Sequence, residues 1–160
     1  MPLYPAPVIP WFLGDLADIA NGQANTRTAN TCYFSPIVLL APVSVLSATM
    51  QFGTGGNGNY DQGIYDGQGN LLAHIGSRAT STGVVTVALG SPLSLSPGRY
   101  YLAFWTDNAL DTSYSSNGTT AGAWPALAGG GASLPAQMSS IAPTSFHRRI
   151  SQFWHVQGGF

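Results

Sequence analysis

Tyr60-Asp61-Gln62-Gly63-Ile64-Tyr65, then Asp66-Gly67-Gln68-Gly69-Asn70, then Leu71-Leu72-Ala73-His74-Ile75: this stretch reads as two apolar-rich strands around a turn. Asp-Gly and Gly-Asn supply the positive φ angles that a tight connection needs, so the segment predicts a β-hairpin. Upstream, Val45, Ser47, Thr49 and Gln51 alternate with Leu46, Ala48, Met50 and Phe52. That period of two predicts a strand with Leu46, Met50 and Phe52 facing inward. Downstream, Gly83-Val84-Val85-Thr86-Val87-Ala88-Leu89 reads as a strand and Ser96-Pro97-Gly98 as a turn. Arg99-Tyr100-Tyr101-Leu102-Ala103-Phe104-Trp105 is a strongly aromatic strand. Ile64, Val85, Val87, Leu102 and Phe104 complete the expected inward set. Residues 146–156 read as one last strand, and a short helical turn is allowed only at 14–20. Many short strands separated by Gly and Pro turns predict an all-β fold, a jelly-roll-like antiparallel β-sandwich.

The 160 residues are enough for one domain with one core. Residues 31–160 are the expected sandwich, including a long loop at 107–145 rich in Gly, Ala, Ser and Pro. Residues 1–30 read as an extended N-terminal arm. Pro2, Pro5, Pro7 and Pro10 favour polyproline-type backbone and forbid pairing as a central strand. The arm is nevertheless apolar, with Leu3, Tyr4, Val8, Ile9, Trp11, Phe12 and Leu13. These residues predict docking on a neighbouring subunit, with wrapping of the chain's own domain as the alternative.

Charge narrows the function classes. Only 7% of residues are charged, against an ordinary share of about 25%. All five cations are Arg and all six anions are Asp, so the long, solubilising side chains of Lys and Glu are absent. Those side chains normally blunt sheet edges, and a surface without them suits a protein covered by neighbours. A net charge of −1 argues against a nucleic-acid partner, which requires a basic patch. No run reaches the ~18 apolar residues of a membrane helix. The N-terminus has no basic region preceding an apolar one, so export by the general pathway is not expected. The single cysteine, Cys32, lies in an apolar run and predicts an inert buried thiol.

Residues with chemistry are few. His74, His147 and His155 accompany no Gly-x-Ser-x-Gly elbow that would frame a nucleophile. Asp61, Asp66, Asp107 and Asp111 read as strand-end turn residues rather than as a facing glycosidase pair. Residues 66–70 offer hard oxygens but lack the spacing and terminal Glu of a calcium loop. The histidines lack the cysteines or carboxylates of a zinc site. No catalytic residue, metal or cofactor is therefore expected. Trp105 and Trp124 read first as the end of a core strand and as a plug of the Gly-rich loop; with Tyr114 they bracket that loop and are the alternative candidates for stacking on a glycan.

Gly63-Ile64-Tyr65-Asp66, Asn70-Leu71-Leu72-Ala73, Gly76-Ser77, Ser81-Thr82-Gly83-Val84, Leu95-Ser96-Pro97-Gly98 and Tyr100-Tyr101-Leu102-Ala103 follow in order across residues 30–105. This succession resembles a β-sandwich module of tailed-phage virion structural proteins, over about half of the chain. The resemblance implies a virion structural role on the outer surface of the particle and transfers no catalytic residue. Its first implied form is a capsid cement or decoration protein, a homotrimer that binds the major capsid protein. Its second is a tail-fibre or spike component that binds a host glycan.

Overall fold

The computed structural model describes residues 11–14, 23–125, 133–138, 145–150 and 152–158. Their regular structure is entirely β, twelve strands in chain order. These are β1 (Trp11–Gly14), β2 (Gln23–Thr26), β3 (Thr31–Leu39), β4 (Val43–Thr54), β5 (Asn59–Asp66), β6 (Leu71–His74), β7 (Arg78–Ala79), β8 (Gly83–Leu95), β9 (Gly98–Thr106), β10 (Thr112–Pro125), β11 (Ser145–Ile150) and β12 (Gln152–Gly158). Every pairing among them is antiparallel.

Two sheets pack face to face as a β-sandwich, as expected. The first runs β1-β12-β4-β8. The second runs β11-β10-β3-β9-β5-β6, with β7 also on β5. The start of β10 pairs with β2 and meets the end of β4 at Thr112↔Thr54 and Ser113↔Phe52. That long strand therefore joins the two sheets at a corner.

The inner faces supply the main core. Val45, Ala48, Met50, Phe52, Trp154 and Val156 from the first sheet meet Tyr33, Leu39, Tyr60, Ile64, Leu102 and Phe104 from the second. Val85 and Val87 are partly buried against the same cluster. Phe52 packs edge-on to Tyr60 at 4.9 Å between ring centroids, an arrangement the aromatic quadrupoles favour. Leu46 departs from the expected inward set, with 36% of its surface exposed. Between Val45 and Ser47, β4 takes two steps while β12 takes one, from Val156 to His155. The extra residue is a β-bulge, which reverses which residues face inward. Val45 is buried before it, Ala48, Met50 and Phe52 after it, and Leu46 is turned outward.

A second core lies on the outer face of the second sheet. Cys32, Phe34, Tyr65, Tyr101, Ala103 and Trp105 are covered there by Leu134 and Met138 of residues 133–138. Burial on both faces explains why 101–105 is apolar without alternation.

Three segments differ from the sequence expectation. Residues 107–145 are not one loop, because 112–125 form β10. Its run of Ser, Thr, Gly and Ala has weak intrinsic preference, and pairing with β2, β3, β4 and β11 determines its conformation. Residues 146–156 are two strands rather than one, since β11 pairs with β10 and β12 with β4 on the other sheet. The arm is part of the sandwich where it is described. Trp11–Gly14 pair with β12, Leu13 packs against the main core, and β2 pairs with β10. Among the described residues β1 is an edge strand, although its four residues contain no proline. Leu3, Tyr4, Val8, Ile9, the side chains of Trp11 and Phe12, and residues 15–20 of the expected helical turn lie outside the described residues.

Candidate functional site

The aromatic trio does not form one described surface. Trp105 is 2% exposed in the second core, and its backbone pairs with Cys32 on one side and Asp61 on the other. An indole so enclosed offers no face to a sugar ring, so the structure assigns Trp105 to packing. Tyr114 is half-buried on β10, near Gly53. Trp124 pairs through its backbone with Cys32, and its side chain lies outside the described residues.

The structure instead brings together groups that the sequence reading kept apart. Asp61 is the third residue of β5, not a turn residue, and it is fully buried. Its Oδ2 accepts a hydrogen bond from the Leu134 backbone N–H at 3.1 Å and lies 2.8 Å from His74 Nδ1. Burial raises the Asp61 pKa, and the hydrogen bonds from His74 and Leu134 offset part of that rise. Residues 133–138 are tied down at further points. Ala136 O accepts from Leu71 N at 2.9 Å, Gly69 O accepts from Met138 N at 2.8 Å, and Tyr65 donates to Pro135 O at 2.7 Å. Gly63 lies beneath this strap, where an added Cβ would come to 2.5 Å from Leu134 Cδ1 and displace that side chain.

Chemically, Asp61 and His74 are an oriented acid–imidazole pair, two of the three parts of a nucleophilic triad. Among the described residues no hydroxyl or thiol hydrogen-bonds the other imidazole nitrogen. The Cys32 thiol is pushed far up by burial and by the nearby Asp61 charge, which removes its nucleophilic form. No group of three metal-ligating side chains occurs among the described residues. The pair's visible work is mechanical: it fastens residues 133–138 over the second core.

The other aspartates tie loops. Asp66 accepts from Gln68 N and Asn70 N at 2.9 and 2.8 Å, and Gly69 takes φ 87°, which closes the predicted hairpin. Asp107 accepts from the Asn59 backbone N–H at 2.7 Å and from its side chain at 2.8 Å. Asp111 accepts from Asn57 Nδ2 at 2.5 Å and from the Thr80 hydroxyl. Partial burial raises the Asp66 and Asp107 carboxyls slightly, but these hydrogen bonds outweigh it and hold both below the ordinary range. Around the β3–β4 turn, at the end of the sandwich opposite Asp107 and Asp111, Val38 is 68% and Leu40 90% exposed. They border an open apolar recess of about 210 Å³ with Leu13, Leu39, Ala41, Val43 and Val156.

No family model matches the chain, and no curated protein matches it.

Proposed function

We propose that this chain is a non-enzymatic structural subunit, working through contacts with its own copies and with neighbouring proteins. The form it takes in this reading is a phage capsid cement or decoration protein on the outer surface of the virion. The observation that carries the reading is the pairing of an uncharged surface with an open sheet edge. Strand β8 pairs only with β4 among the described residues, and no charged residue occurs from 79 to 98. A free monomer protects such an edge with charged residues or Pro, and the first half of β8, residues 83–89, has neither, whereas an assembly subunit covers the edge with a neighbour. The exposed Val38 and Leu40 support the same reading, because contiguous exposed apolar surface marks contact sites. The aspartates lend it further support, since Asp61, Asp66, Asp107 and Asp111 are engaged in holding loops.

The test is the protein composition of particles. Cells carrying the gene are induced, particles are banded by density, and each protein is quantified by mass spectrometry. The reading expects the chain in the band at a copy number comparable to the major capsid protein. A copy number of a few per particle would move it to the tail, and absence from every particle would overturn the virion role.

A further inference from the structure

We infer that the edge of β8 left unpaired among the described residues is a self-association site, in which residues 83–89 pair antiparallel with the same residues of a second copy. This deepens the assembly reading by naming the contact, and its tests need no particle, so the two can fail separately.

In β8, Val85 and Val87 lie opposite Met50 and Ala48 of β4 and face the main core. Val84, Thr86 and Ala88 are exposed on the outer side, with Val84 at 60%. One flank of the strand is paired with β4. On the other flank, every second residue turns its N–H and C=O away from the sheet, a row that water solvates in the lone chain and that another extended chain pairs with along its length. A strand is the occupant that matches it.

The sequence indicates which strand. Residues 84–88 read Val-Val-Thr-Val-Ala, nearly the same in both directions about Thr86. A two-fold axis at Thr86, perpendicular to the sheet, sets Thr86 against Thr86, Val85 against Val87 and Val84 against Ala88. Inner residues meet inner ones and outer residues meet outer ones, which the pleat demands of any register. No like charges are brought together, because the strand has none. β-Branched pairs across such a junction are favourable. The contact would extend the four-stranded first sheet into eight strands and cover Val84. Gly90 and Pro92 lie where β8 departs from regular pairing with β4, between Ala88 and Leu93, and they limit the junction to the first half.

A ring of three, the form expected from the resemblance, would instead need β8 to meet a different edge. The other edge of the first sheet is β1, four residues preceded by Pro10, which has no N–H to donate. The two-fold β8 contact offers the longer and better matched pairing.

The test uses the full chain with one added cysteine, since Cys32 is buried. Directly opposed residues in an antiparallel pair bring Cα atoms to about 4.5–5.5 Å, within the span of a disulfide. Thr86→Cys is expected to form a disulfide-linked dimer under mild oxidation at least tenfold faster than Leu110→Cys, an exposed control on the β9–β10 loop. Sedimentation velocity of the unaltered chain is expected to show mass rising with concentration toward twice 16.7 kDa. Val84→Lys and Thr86→Lys should each leave a folded monomer; Val84→Lys makes no demand on the hydrogen bond between Thr86 and Thr49. Equal cross-linking rates for the two cysteine variants would overturn the contact. So would a monomer at every concentration, or a dimer that persists in both lysine variants.

Discussion

Asp61 is the residue on which the outer core depends, because its carboxylate joins β5, β6 and residues 133–138. Asp61→Ala leaves the buried Leu134 N–H without an acceptor, and a loss of about 1–3 kcal/mol in urea unfolding is expected. Asp61→Asn keeps an oxygen there and should cost less. The pH profile separates the two aspartate types. Asp61 has a folded pKa above its unfolded value near 3.8, so its contribution is complete below that value. The contribution then declines as pH rises through the folded pKa. Asp66 and Asp107 have lowered pKa values, so theirs is present above 3.8 and lost as pH falls. Unfolding measured from about pH 3 to about pH 7 should therefore show that Asp61→Asn removes the decline on the rising side and keeps the acid loss; parallel profiles would contradict this. Trp105→Ala should cost about 3–5 kcal/mol, as truncation of a buried Trp does. A loss below about 1 kcal/mol would return Trp105 to the surface and to sugar binding. The role of Asp61 was not legible in the sequence, because its partners lie on another strand and on a segment some 70 residues away, whereas Trp105 already read as the end of a core strand.

Elements were legible to the extent that they carry their own pattern. The 60–75 hairpin, the 83–89 strand and the 99–105 strand announced themselves through turn residues and apolar runs. β10 did not, since its Ser, Thr and Gly adopt an extended form only because strands flank them. The bulge at Leu46 was equally hidden: one inserted residue leaves local alternation intact and changes only which half faces the core. It makes a direct prediction. Leu46→Lys should shift the unfolding midpoint little, whereas Met50→Lys, four residues on and fully buried, should abolish folding. The arm makes a second. Removal of residues 1–14 should destabilise the sandwich, since β1 pairs with β12 and Leu13 packs on the core. Circular dichroism melts of this truncation beside the full chain check this; equal melting would place β1 outside the cooperative fold.

At the scale of the whole molecule, the sandwich resolves the contradiction between an apolar chain and an almost chargeless surface. The second sheet hides its outer face under residues 133–138, and the first sheet ends at β8 with no charge to guard it. Composition alone pointed to covered edges; which edge, and in which register, required the strand order. The most direct measurement is hydrogen exchange of β8 amides, read by mass spectrometry on dilute and concentrated samples of the unaltered chain. The account predicts that residues 83–89 gain protection with concentration while β9, buried within the second sheet, exchanges equally slowly in both. Exchange in residues 83–89 that does not change over the same range of concentration would contradict it.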